Sequence, residues 1–124
     1  MLCSYDPYIL PTINFVGGES KTLIFDTYYE NKSQPCVLRN STSEFAIIDF
    51  INRSGSPILR KPMSVLNEDD GTSNSLTVNL LPDDTVKLEG KYVYQISIKD
   101  GLGNVEIPQQ GLMYISNNIN RGFI

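Results

Sequence analysis

The chain has 124 residues, 14 acidic and 10 basic side chains, a net charge of −4 and 40% hydrophobic content. That length fits one domain, and the apolar content suffices for a core, which excludes wholesale disorder. Of the basic residues only Arg60 and Lys61 adjoin, so the clustered cations that phosphate binding needs are missing and nucleic acid is not an expected partner.

Along the chain the main signal is alternation of apolar and polar residues with a period of two, the mark of β-strands. No apolar run approaches the roughly 20 residues that span a bilayer, and no basic stretch precedes an apolar one at the N-terminus; neither a membrane segment nor a signal peptide is expected. Residues 1–12, with Tyr5, Pro7, Tyr8 and Pro11, read as an N-terminal arm or an edge strand, since proline removes a ladder donor. Gly17-Gly18 break the chain, and residues 22–29 read as a strand that includes Tyr28 and Tyr29. Residues 30–35 are a polar turn. Cys36 reads as a small buried apolar residue beside Val37 and Leu38, while Cys3 lies in the terminus; whether the two pair stays open.

Residues 44–51 are apolar on both faces, predicting a central strand covered on both sides or one that faces a partner. Residues 52–57 are a turn, and 58–66 an extended run interrupted by Pro62, hence an edge or a kink. A polar loop centred on Asp70-Gly71 leads to a half-buried strand at Leu76, Val78 and Leu80. Pro82-Asp83-Asp84-Thr85 predicts a one-turn helical connection. The strongest strand follows, with Tyr92, Tyr94, Ile96 and Ile98 on one parity. A hairpin loop at Asp100-Gly101-Leu102-Gly103-Asn104 leads to a return strand, expected to be broken at 108–111, and then to a tail over 117–124 that ends in Gly122-Phe123-Ile124. Seven to nine short strands with turns about every ten residues predict an all-β, immunoglobulin-like antiparallel β-sandwich over residues 13–116 with minimal helix.

Catalytic chemistry finds little footing. There is no histidine, which removes the usual general base near neutral pH, any Ser-His-Asp or Cys-His arrangement, and the commonest metal ligand. Two cysteines 33 positions apart make no zinc site. Gly17-Gly18 and Gly101-Leu102-Gly103 lack the lysine and helix of a phosphate loop. Asp83-Asp84 sit where carboxylates cap free N–H groups. Glu68-Asp69-Asp70-Gly71 lacks the alternating oxygen ligands and terminal Glu of a calcium loop. The expectation is a non-enzymatic protein without cofactor or metal.

Leu88-x-Gly90-x-Tyr92 resembles the tyrosine corner of immunoglobulin-like domains, in which the tyrosine hydroxyl turns back onto the preceding corner. The ordered set of Gly18-Glu19-Ser20-Lys21-Thr22-Leu23, Phe45-Ala46-Ile47-Ile48, Leu76-Thr77-Val78-Asn79-Leu80, the corner itself, Asp100-Gly101 and Pro108-x-x-Gly111-x-Met113-Tyr114-Ile115 is similar to the N-terminal domain of bacteriophage baseplate upper proteins. Related immunoglobulin-like modules occur in phage head fibres and capsid decorations. The resemblance spans about residues 13–116 and implies no active site. It implies a virion structural protein assembled in the host cytoplasm, most readily an accessory capsid decoration or head-fibre base. A baseplate or tail component, or a carbohydrate-binding adhesive module using exposed tyrosines, are the alternatives.

On that reading the partners are other virion proteins and further copies of the chain, with neither nucleic acid nor membrane involved. The candidate interface residues are Tyr5, Tyr8, Tyr28, Phe123 and Ile124. The tail over 117–124 is expected to dock into a neighbour's groove, because a free polar tail has no need of Phe123 and Ile124.

Overall fold

The fold was analysed in a computed structural model, which describes residues 12–26, 38, 40–52, 55–66 and 74–124. Eight strands occur among these residues: β1 (Ile13–Val16), β2 (Lys21–Asp26), β3 (Thr42–Asp49), β4 (Leu59–Pro62), β5 (Ser64–Val65), β6 (Ser75–Leu80), β7 (Gly90–Lys99) and β8 (Val105–Ser116). They form a five-stranded sheet in the order β1-β8-β7-β3-β4 and a three-stranded sheet in the order β2-β6-β5. The result is the expected all-β, immunoglobulin-like sandwich. One pairing departs from the antiparallel plan: β1 lies parallel to β8, with Ile13 opposite Met113 and Val16 opposite Ser116.

Period-two alternation builds the core. Phe45 and Ile47 of β3, Tyr92, Tyr94, Ile96 and Ile98 of β7, and Met113 and Ile115 of β8 are buried against Leu23 of β2 and Leu76, Val78 and Leu80 of β6. An aromatic cluster clamps the layers together. Phe25 of the small sheet has its ring centroid 5.6 Å from Tyr94 and 6.2 Å from Phe45 of the large one, within the range of favourable ring pairs. The Tyr94 ring crosses its strand partner Gly111: a Cβ on Gly111 would lie 2.8 Å from ring atoms of Tyr94. Burial pushes the Tyr94 hydroxyl up to about 12.

One sequence expectation is corrected and two are made more specific. The return strand is continuous: β8 runs twelve residues through Pro108. Ile96 pairs Gln109 while Ile98 pairs Glu106, so β8 carries one extra residue there. The bulge accommodates a proline that donates no ladder bond. The run over 58–66 is two strands in different sheets, β4 beside β3 and β5 beside β6, with the crossing just after Pro62. Strand β3 lies inside the large sheet, yet only its Phe45 and Ile47 reach the core; Ala46, Ile48 and Phe50 take the outer side and are half-buried.

The predicted helical connection is a single turn, α1 (Pro82–Thr85). The Asp84 carboxylate accepts the Leu81 N–H at 2.7 Å and holds the Lys61 ammonium at 2.6 Å. Lys61 also donates to the Asn79 carbonyl at 2.8 Å. One lysine from the large sheet thereby fixes the corner of the small sheet. Partial burial works to raise the Asp84 carboxyl, but Lys61 and the Leu81 N–H outweigh it and hold it below the usual carboxylate range.

Candidate interaction surfaces

Strand directions set which loops share a pole. Strands β1 and β8 end where β2 and β7 begin and where β3 and β6 end. One pole therefore carries the β1–β2 turn, the β3–β4 loop, α1 with the corner before β7, and the C-terminal segment after β8.

The corner before β7 is held by its own tyrosine. The Tyr92 hydroxyl donates to the Glu89 carbonyl at 2.9 Å and accepts the Glu89 N–H at 3.0 Å. Gly90 between them has φ +119°, a conformation that side chains rarely adopt, and Leu88 packs against the core as a half-buried residue. Thr85, fully buried, accepts the Gly18 N–H on its hydroxyl at 2.9 Å, while its carbonyl accepts the Leu88 N–H at 2.9 Å. Gly17 fits only because it lacks a Cβ, which would stand 2.6 Å from the Thr85 carbonyl oxygen. These contacts fix the β1–β2 turn, α1 and the β7 corner to one another.

The C-terminal segment closes onto these elements. Asn118 donates to the Gly17 carbonyl at 2.8 Å, Arg121 donates to Asn117 at 2.8 Å, and Arg121–Phe123 form a 3-10 turn. Ile124 lies against Gly18. The tail expected to reach a neighbour is folded onto its own domain, and the lack of a side chain at Gly18 leaves room for Ile124 and Asn118. Phe123 remains 87% exposed and Ile124 46% exposed. Tyr5, Tyr8 and Tyr28, together with Cys3 and Cys36, lie outside the described residues.

The loops of this pole gather several of the exposed apolar side chains among the described residues. Eleven large hydrophobic side chains are exposed among the described residues, and six of them, Ile51, Ile58, Leu81, Ile119, Phe123 and Ile124, sit in loops and the terminal segment of this one pole. Ile51 and Ile119 are 92% and 96% exposed. At the opposite pole Leu102 of the β7–β8 loop and Val105 at the start of β8 are exposed. Single exposed apolar residues are ordinary; several in one set of loops make a candidate contact surface. Phe123 and Ile124, expected as interface residues, are exposed here, and Ile51, Leu81 and Ile119 are exposed beside them without having been singled out in the sequence. The available signal was an apolar residue beside turn formers, as in Leu81-Pro82 and Asn118-Ile119-Asn120.

Adjoining the pole, the outer side of the large sheet carries a row across three strands, Ile48 opposite Val93 and Val93 opposite Leu112. A groove of about 220 Å³ runs between this row and the β3–β4 loop, lined by Ala46, Ile48, Pro57, Val93 and Gln110. The Lys91 ammonium sits 3.8 Å from the Phe50 ring centroid and 5.7 Å from that of Tyr114, a cation–π contact that occupies this charge. Lys61, Arg121 and Arg60, the last paired with Glu44 at 2.7 Å, are likewise engaged. Among the described residues no cluster of three or more acidic, Cys or His side chains is placed to hold a metal ion, and no helix is long and apolar enough to cross a membrane.

No family model and no curated protein matches the chain. Solved structures do. Some 86% of the chain superposes on 83% of the N-terminal domain of phage TP901-1 ORF48, with a TM-score of 0.54 at 9% identity. CopC from Methylosinus trichosporium OB3b aligns over 88% of this chain and 87% of its own, with a TM-score of 0.49 at 11% identity. AggA, the major subunit of the aggregative adherence fimbriae type I of Escherichia coli, aligns over 86% and 91%, with a TM-score of 0.36 at 10% identity. At such identities the likeness is one of fold, and the phage domain shares this sandwich over nearly its whole length.

Proposed function

We propose that this domain is a non-enzymatic structural component of a bacteriophage virion, an accessory protein that decorates the capsid or forms the base of a head fibre through protein–protein contacts. The carrying observation is the apolar pole, where Ile51, Leu81, Ile119 and Phe123 stand exposed on a platform fixed by Thr85 and Tyr92. A surface held in this way docks on a partner with little ordering cost. The phage origin of a structural neighbour that shares the fold supports the setting. The partners are other virion proteins and further copies of the chain. A net charge of −4, with several cations already engaged, speaks against nucleic acid.

Assembly in the host cytoplasm and residence in the virion follow from this reading. The test is quantitative mass spectrometry of gradient-purified particles, split into head and tail fractions. A fixed copy number in the head fraction is the expected result. Enrichment in tails would move the domain to the baseplate or tail, and its absence from both fractions would overturn the virion role.

A further inference from the structure

The segment after β8 is held at both of its ends. At the first, the Asn118 side-chain amide donates to the Gly17 carbonyl at 2.8 Å, and its oxygen accepts the Asn120 N–H at 2.8 Å. At the second, Ile124 lies against Gly18, where a Cβ would also stand 2.9 Å from the Asn118 amide nitrogen. The Gly18 N–H in turn donates to the buried Thr85 hydroxyl at 2.9 Å, so both anchors rest on the domain itself. Between them the chain closes into a turn. The Phe123 N–H donates to the Asn120 carbonyl at 3.1 Å, the Ile124 N–H to the Arg121 carbonyl at 3.3 Å, and the Arg121 guanidinium to the Asn117 side chain at 2.8 Å.

What this turn displays does not serve its own folding. Apolar side chains stabilise a fold by leaving water, yet Ile119 and Phe123 are almost fully exposed. Among the described residues the Phe123 ring makes no ring contact, and Arg121 reaches only a neutral amide, with no carboxylate paired to it. An apolar ring and an unmatched cation are thus held in place with nothing in the domain to meet them.

We infer that residues 118–124 are a preformed docking hook. Phe123 is the aromatic anchor of the pole, Asn118 and Ile124 are its positioning residues, and the partner is a protein surface with an apolar pocket for one ring and a carboxylate at the rim. This rests on the contact surface proposed above and names the residue within it that carries the contact. Aromatic side chains and arginine are the groups that protein interfaces enrich and that dominate their binding energy. Fixing the ring before the encounter removes the cost of ordering it afterwards. Arg121 stands two residues before Phe123 in the same turn, and a carboxylate on the partner supplies its guanidinium with a charge-assisted bond that Asn117 does not.

The test adds the purified chain to phage particles assembled without it and follows co-sedimentation, with amide exchange of the free chain measured in parallel. Phe123→Ala is expected to weaken binding about thirtyfold or more while the turn keeps its protection. Asn118→Ala should speed exchange at the Phe123 and Ile124 amides, leave the strand amides protected and weaken binding about tenfold. In a Phe123→Ala background the same change should weaken binding little further, because a positioning residue acts through its anchor. Arg121→Gln should weaken binding and make it less sensitive to salt.

A parent chain that binds particles while Phe123→Ala binds equally well would overturn the hook and leave the virion role standing. Additive losses from Asn118→Ala in both backgrounds would overturn the positioning role, and binding untouched by Arg121→Gln the carboxylate at the rim. Turn amides that exchange freely in the parent chain would overturn the preformed hook whatever the particles show. A parent chain that binds no particle would overturn the virion reading and the hook together.

Discussion

Single side chains fix the geometry on which the surfaces rest. The Tyr92 hydroxyl serves two backbone groups of one residue, Glu89. Tyr92→Phe should cost about 1–2 kcal/mol, read as a lower urea midpoint with an unchanged slope. The fit of Gly111 under the Tyr94 ring is equally specific. Gly111→Ala brings a methyl to 2.8 Å from that ring and should destabilise by about 1–3 kcal/mol through overpacking. In a Tyr94→Leu background the same change should cost less, because the two residues share one contact. The corner was legible in the sequence, since Leu88-x-Gly90-x-Tyr92 is a local pattern with a local bond. The Gly111–Tyr94 fit was not, because it depends on a register between strands that alternation alone does not set.

Among the elements, the one-turn helix α1 ties the sheets together through a charge pair. Lys61 and Asp84 meet at 2.6 Å with each side chain about one-fifth exposed, so screening by water is incomplete. Lys61→Met should lower stability at neutral pH by about 1–2 kcal/mol. The folded Asp84 carboxyl lies below its ordinary range, so the stability it contributes is present above the unfolded value near pH 4 and is lost as pH falls through the folded one. Acid titration of unfolding should therefore show a flatter profile below about pH 4 for Lys61→Met than for the parent chain. Strand existence followed from alternation in β2, β3, β6 and β7. The expected edge or kink at Pro62 is there, as β4 ends and the chain changes sheet, whereas the expected break in β8 failed because a bulge takes up the bond that Pro108 cannot donate.

At the scale of the whole molecule a two-sheet scaffold carries the surfaces it presents. The two-sheet architecture was readable from the number and spacing of strands. The contact pole was only half readable, because exposure is a property of the assembled loops: Ile51 read as a strand residue and stands in a loop, and Ile119 lay in a segment that read as a tail. Its sharpest test is incorporation into particles of a chain carrying Ile119→Glu and Phe123→Glu, set beside Leu102→Glu at the opposite pole. Both variants alter exposed positions and should unfold at the parent's denaturant midpoint. The pole variant should remain in the soluble fraction of infected cells while Leu102→Glu sediments with particles like the parent. Equal incorporation of the two would contradict the assignment of this pole as the contact surface.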